Sequence, residues 1–495
     1  MQRTAGILMP ISSLPSPYGI GTIGKAAFRF ADFLKKSGQK YWQILPAGPT
    51  SYGDSPYQSF SSYAGNPYFI DLDILREEGL LTKKEIADCD WGDNKNQIDY
   101  EKIYNSRFKV LKTAFGRFCG KNSKEEFSAF CKKNARWLNN YALFMALKEN
   151  FSMKAWNEWE DEEIRLHKPK AVKRYEKELR REIEFWKFTQ FKFYEQWDSF
   201  KKYVNESGIK IIGDMPIYVA MDSADTWANP EVFQLDEKGF PTAVAGCPPD
   251  YFSPTGQLWG NPLYNWDYLK ETNYRWWFAR IKSAVRLYDV VRIDHFRGFD
   301  EYYSIPYPAE NAVIGSWEKG PGIEFFKKMK ASIGGKPIIA EDLGHMTDSV
   351  IELLKESGYP GMKVLEFAFD GNSANPYLPH NYQSDNCVVY TGTHDNDTVI
   401  GWAQELSAES EQYVRSYCKM RKNANIAWGL IKTAYQSRAA YAIVQMQDVL
   451  GLGSHARINT PSTLGNNWTW RADSKIYSEA LAKKLFTLTE NAGRC

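Results

Sequence analysis

An excess of charge of either sign is missing from this chain: 62 basic side chains stand against 60 acidic ones in 495 residues, a net charge of +2. No stripe of unpaired cations is expected to follow a phosphate backbone or an anionic bilayer, so neither nucleic acid nor a membrane surface is an expected partner. Close-spaced cysteines are missing too. The seven, at 89, 119, 131, 247, 387, 418 and 495, are odd in number and never fall near one another, which argues against a disulfide framework and a zinc ribbon. Nor does any apolar run approach the roughly 20 residues of a membrane span. The start, Met1-Gln2-Arg3-Thr4-Ala5-Gly6, leads into an apolar strand without the hydrophobic region of a signal peptide. The expectation is a soluble, unexported protein of a reducing cytoplasm. Internal repeats and low-complexity tails are lacking, and no His-x-x-x-His or Cys-x-x-Cys spacing supports a metal. Glycines 19, 21 and 24 approach a dinucleotide fingerprint in spacing, but no strand-turn-helix with a following acid accompanies them, and turn chemistry explains them better. No cofactor and no metal is expected.

Aromatic side chains are plentiful: 17 Trp, 30 Tyr and 28 Phe on a chain that is polar overall. Most must fill core. Others, Tyr52, Tyr57, Phe60, Tyr63, Tyr251, Phe252, Trp259 and Trp468, stand in polar stretches rich in Gly and Pro that read as loops. The apolar face of a sugar packs well on such rings, although protein interfaces use them as well.

Strand and helix signals alternate along the chain. Phe193, Trp197, Phe200 and Val204 recur at helical spacing, Gly208 offers a stop, and a short apolar run over 209–214 ends in an acid. The same grammar recurs before Val290, Val291 and Ile293. Strands are expected near 7–10, 41–46, 209–214, 290–294, 338–341, 363–367, 388–391 and 446–452. Eight is the number that closes an α/β (β/α)8 TIM barrel, and 1–495 is read as one catalytic barrel. Spacing locates the insertions: a mainly helical subdomain over 47–208 after the second strand, and a loop-rich segment over 222–275 after the third. Within the first, 168–184 mixes both charge signs as a solvated helix would. Within the second, the Pro and Gly of 229–265 predict a long shaped loop over the barrel mouth.

Three runs follow strand signals: Arg292-Ile293-Asp294-His295, Ala340-Glu341-Asp342-Leu343-Gly344 and Thr393-His394-Asp395-Asn396. Alone, an Arg-x-Asp pair reads most often as a structural ion pair, and an acid after a strand as a helix cap or surface residue. Three acids at the ends of the fourth, fifth and seventh strands are less easily accidental. Cleavage of a sugar–sugar bond needs such a set: an acid for the leaving oxygen, a carboxylate for the anomeric carbon, and a charge opposing the cationic ring. Arg292 and Asp294 point to the same side of a strand, and the guanidinium is expected to lower the carboxyl's pKa, which suits a nucleophile. A desolvated Glu341 near a second carboxylate is expected to hold its proton, which suits an acid. Asp395 is placed to meet the developing charge. His295 and His394 read as hydrogen-bonding residues at the barrel mouth.

At this point the chain resembles the 4-alpha-glucanotransferases of the amylomaltase or disproportionating type, within the wider alpha-amylase-like group. The stretches that carry the resemblance span nearly the whole sequence: Ser12-Ser13-Leu14-Pro15-Ser16, Tyr52-Gly53-Asp54-Ser55-Pro56-Tyr57-Gln58, Gly213-Asp214-Met215-Pro216-Ile217-Tyr218-Val219, Gly246-Cys247-Pro248-Pro249-Asp250-Tyr251-Phe252 and Gly465-Asn466-Asn467-Trp468-Thr469-Trp470-Arg471. Cys247 and Met215 are modest departures at motif positions and bear on fine specificity. The resemblance implies Asp294 as nucleophile, Glu341 as acid/base and Asp395 as transition-state stabiliser. It implies that Arg292, His394, Asp214, Asp250, Phe252, Trp259 and Asp370 bind the glucan, with Ser55 and Tyr57 nearby. Maltooligosaccharides and alpha-1,4-glucans of starch or glycogen type would be both donor and acceptor. Two rivals differ in outcome: a retaining alpha-glucosidase or amylase would release products to water, and a non-catalytic glucan-binding protein of the same fold would turn over nothing.

Overall fold

Ile211-Ile212, Val290-Val291, Ile338-Ile339, Val388-Val389 and Ile443-Val444 are almost completely buried, as strands covered on both faces must be. A computed structural model describes residues 2–120, 124–249 and 253–495. Its strands, in chain order, are β1 (Thr4–Leu8), β2 (Tyr41–Gln43), β3 (Lys210–Pro216), β4 (Ala243–Cys247), β5 (Gln257–Pro262), β6 (Val290–Asp294), β7 (Glu301–Pro306), β8 (Ser316–Lys319), β9 (Ile338–Ala340), β10 (Gly361–Val364), β11 (Cys387–Tyr390) and β12 (Tyr441–Gln445). Eight of them form a parallel sheet in the order β10-β11-β12-β1-β2-β3-β6-β9. Helices follow the strands, except that only 3-10 turns lie between β10 and β11, and the result is a (β/α)8 barrel. Its two end strands meet where Ala340 N–H donates to the Pro360 carbonyl at 3.0 Å.

The last barrel strand is β12, and the expectation of a strand over 446–452 is corrected: Met446–Leu450 is a helix. Both stretches are apolar and short, and periodicity does not separate a buried strand from a short buried helix. The sixth strand begins earlier than expected, at Gly361, and Leu365–Phe367 is a turn of 3-10 helix.

Between β2 and β3 the chain is mainly helical, dominated by Lys124–Asn150 and Arg180–Glu206. Ile183, Trp186, Phe193, Trp197, Phe200 and Val204 form the buried stripe of the second of these helices. It ends at Ser207, and Gly208 takes the left-handed φ of 79° that turns the chain into β3. The charged stretch over 168–184 divides into a helix Pro169–Glu178 and the first turn of the next. Lys148, buried in the first long helix, donates to the carbonyls of Met153 and Lys154 and to Asp222 at 2.5 Å, tying the helices to the loop after β3.

The segment read as a loop over 229–265 contains β4 and β5. These join β7 and β8 in an antiparallel sheet of order β5-β4-β7-β8, which rises from the end of β6. Proline and glycine hid them, because Gly246 and Gly260 sit inside the strands themselves.

Candidate active site

Strand register brings the acids together. Asp214 of β3 pairs with Arg292 of β6, and Ile293 pairs with Ala340 of β9, so Asp294 and Glu341 are the next residues outward on neighbouring strands. Arg292 is buried, and its Nη1 donates to Asp214 Oδ1 and Oδ2 at 2.8 and 2.7 Å and to Asp294 Oδ1 at 2.9 Å. Glu341 accepts from two backbone amides, His295 N–H at Oε2 (2.7 Å) and Leu343 N–H at Oε1 (2.8 Å).

The loop after β11 supplies the third acid. His394 Nε2 lies 3.2 Å from Asp395 Oδ2, and Asn459 Nδ2 donates to Asp395 Oδ1 at 2.6 Å. Tyr57 crosses from the loop after β2: its hydroxyl donates to Asp214 Oδ2 at 2.7 Å and lies 3.4 Å from His394 Nδ1, and its ring stacks on His394 at 5.0 Å. Trp468 adds a further ring, 5.7 Å from Tyr57. Ser55 accepts the Tyr57 backbone N–H at 3.2 Å and so shapes the turn rather than touching the acids.

The electrostatics correct one expectation. Burial is the largest influence on Asp294 and, despite the opposing pull of Arg292, raises its pKa to about 6. Glu341 is raised further, to about 7, by burial and then by the charge of Asp294. The direction is the same for both, and Asp294, with the guanidinium against it, is the first of the pair to ionise. Burial opposes the charge on Asp395 as well, but His394 and Asn459 override it and hold the carboxyl at about 2. His394 is raised in return, its desolvation outweighed by Asp395. His295 behaves oppositely: burial, with Arg297 nearby, lowers it to about 3, so its ring is neutral. That ring meets Trp259 edge to face at 4.8 Å.

Asp294, Glu341, Asp395, Arg292, His394, Asp214, Tyr57 and His295 therefore form one cluster, with Trp259 against His295. Asp370 is not joined to it by any hydrogen bond described; it is exposed after β10 and accepts the Asn372 N–H at 2.9 Å. Asp250 and Phe252 lie outside the described residues. Sequence reasoning missed Asn459 and Arg457, whose Nη2 donates to the Asp395 carbonyl at 2.7 Å. Both stand in the polar loop beyond β12, with no periodic signal to mark them. Tyr52, Phe60 and Trp259, noted above as loop aromatics, line a neighbouring cavity of about 500 Å³ together with Tyr68, Tyr104 and Trp186. Among the described residues, no group of three or more His, Cys, Asp and Glu side chains could hold a metal ion.

Chemically, the cluster offers an ionisable carboxylate fixed by a guanidinium, a carboxyl that retains its proton near neutrality, and a third carboxylate that stays charged. Comparison with known proteins agrees with that chemistry. Residues 9–476 match the model of the 4-alpha-glucanotransferase family. The chain is 52% identical over 489 residues to a 4-alpha-glucanotransferase of Clostridium butyricum, covering 98% of this chain and 100% of that protein. It is 47% identical to one from Thermus thermophilus, covering 95% of each. Among solved structures, an amylomaltase from Streptococcus agalactiae in complex with acarbose superimposes with a TM-score of 0.97 at 42% identity, covering 99% of both chains.

Proposed function

The chain belongs to the 4-alpha-glucanotransferase family, and from that premise we propose that its cluster moves alpha-1,4-glucan segments between maltooligosaccharides with retention of configuration. Asp294 attacks the anomeric carbon while Glu341 protonates the departing oxygen, leaving a glucosyl ester on Asp294. Glu341 then takes the proton from the acceptor's 4-hydroxyl as that oxygen displaces Asp294. Asp395, kept ionised, opposes the charge that builds on the ring in both steps. Asp214, Arg292, His394 and Tyr57 hold the sugar that becomes attached. His295 and Trp259 form the acceptor side, with Asp250, Phe252 and Asp370 as further glucan contacts.

The observation that carries this reading is the pairing of Asp294 and Glu341 on adjacent strands with different partners, a guanidinium for one and backbone amides for the other. Transfer rather than hydrolysis requires an acceptor sugar to outcompete water. Effective molarities of about 10⁵ M or more show that an oriented acceptor can do so. Seven cysteines, odd in number and never close-spaced in the sequence, fit a reducing cytoplasm as the working compartment. Among the described residues no helix is long and apolar enough to cross a membrane.

The test is incubation with maltotriose and chromatography of the products. Transfer makes chains longer than the donor; glucose and maltose alone would convert the reading to a hydrolase, and no turnover would reduce it to a binding protein.

A further inference from the structure

Glu341 stands beside the one place where the barrel's ladder is interrupted. The parallel pairing runs from β10 round to β9 without joining the two, and Ala340 N–H to Pro360 O is a backbone bond across that seam. One step further out, the partner is a side chain: Met362 N–H donates to Asp342 Oδ1 at 2.5 Å. The carboxylate stands where a ladder carbonyl would otherwise be. It is buried, and the glycine at 361 leaves room for it in this position, since a Cβ there would lie 2.4 Å from Asp342 Oδ2 and displace it.

The other flank of Glu341 is fixed by ordinary backbone bonds. Glu341 N–H donates to the Ile293 carbonyl, and Phe296 N–H donates to the Glu341 carbonyl, both at 3.0 Å. Residue 341 is thus held to β6 directly and to β10 through its neighbour's carboxylate. The same bond reaches the other half of the site. Met362, whose amide Asp342 holds, presents its sulfur 3.4 Å from Arg292 Nε, and that guanidinium carries Asp294.

We propose that Asp342 is a positioning residue for Glu341: its carboxylate closes the β9/β10 seam and so sets the strand end from which Glu341 reaches the glycosidic oxygen. This rests on the reading of Glu341 as the acid/base. Proton transfer requires approach to about 2.6–3.2 Å, so a strand end free to drift loses the step without losing the binding site. A displacement of about 1 Å can cost about 10²-fold in rate.

The test compares two donors. Maltotriose needs its leaving oxygen protonated, whereas alpha-maltosyl fluoride loses fluoride without an acid; because Glu341 serves as base in the second step with either donor, the fluoride is followed as fluoride release in the first turnover. Asp342→Ala is expected to lose about 10²-fold in kcat on maltotriose, with KM little changed and a far smaller loss on the fluoride. Asp342→Asn, whose amide oxygen can accept the same N–H, should stay close to the parent. If Asp342→Ala fails to fold, Gly361→Ala displaces the carboxylate without removing it and should give the same dependence on donor. Melting curves establish that each variant is folded. Equal loss on both donors, or parental kinetics in Asp342→Ala, would overturn the proposal. Glu341→Gln is run alongside. Sparing of the fluoride in Glu341→Gln but not in the folded Asp342 or Gly361 variant overturns the role of Asp342 alone, and its absence from Glu341→Gln overturns the acid/base assignment and the proposal with it.

Discussion

The backbone N–H of His295, the residue after Asp294, donates to Glu341 Oε2 at 2.7 Å. It does so from a left-handed φ of 52°, a conformation that costs a non-glycine residue about 1 kcal/mol or more. Strain of this kind persists where the surrounding structure over-determines it. Here the same turn carries a carboxylate fixed by Arg292 and an amide that orients the second carboxyl, so one short segment of chain fixes both acids of the pair.

Glu341→Gln keeps the shape of that arrangement and removes the proton. The expected loss is about 10²–10⁴-fold in kcat on maltotriose, the usual worth of a general acid. Asp294→Ala removes the attacking atom and should abolish transfer. Both variants should melt as cooperatively as the parent, and full activity in either would reject its assignment.

Asn459 is expected to act through Asp395. Its amide gives the shortest hydrogen bond to that carboxylate, 2.6 Å, and it helps His394 to hold the carboxyl ionised. Asn459→Ala removes a bond to a charged group, worth about 1.5–3 kcal/mol, which corresponds to a loss of about 10- to 150-fold in kcat/KM. Because Asp395 works hardest against the flattened, cationic ring, the loss should fall mainly on kcat. Steady-state kinetics showing a change in KM alone would place Asn459 in ground-state binding.

The barrel could be read from sequence because its strands are buried on both faces and so appear as unbroken apolar runs, Val290-Val291 and Val388-Val389 being the clearest. The three acids stood out because two of them end or directly follow such a run, while Asp395 comes a short polar turn after Cys387–Tyr390. What failed, failed for local reasons. Tyr441–Gln445 and Met446–Leu450 are both short and apolar, and only pairing with β1 and β11 distinguishes the strand from the helix. With the eighth strand misplaced, Arg457 and Asn459 had no strand end to be measured from. The acidity of Asp294 was misjudged because Arg292 is visible two residues away in the sequence, whereas the depth of burial around it is a property of the closed barrel.

Arg494 makes a prediction about stability rather than chemistry. It is completely buried, and it donates to the carbonyls of Thr4, Tyr435, Ser437, Ala439 and Ala440, binding the chain's last helix to the edges of β1 and β12. Bonds from a charged donor are worth about 1.5–3 kcal/mol each and are not additive, so Arg494→Ala should cost about 3–5 kcal/mol overall. Urea unfolding measures this, with kcat/KM of the folded fraction unchanged. A loss under 1 kcal/mol, a bound well below the ~1.5 kcal/mol of one such bond, would show that water satisfies those carbonyls.

The pair of carboxyls sets the pH dependence. Asp294 must be ionised to attack, and that form is lost as pH falls through about 6. Glu341 must carry its proton as the leaving oxygen departs, and that form is lost as pH rises through about 7. Asp395, held at about 2, stays charged throughout and adds no limb in this range. His295, lowered to about 3, is neutral throughout and adds none either. A narrow bell in kcat/KM for maltotriose, with its maximum between these two limbs, is therefore expected. The limbs belong to the coupled pair rather than to either residue alone. The assignment is separable by substitution and donor together. Glu341→Gln acting on alpha-maltosyl fluoride needs no proton donor in its first step, so glycosylation of Asp294, followed as fluoride release, should keep the acidic limb and lose the basic one. Persistence of the basic limb in that variant would assign it to a group other than Glu341.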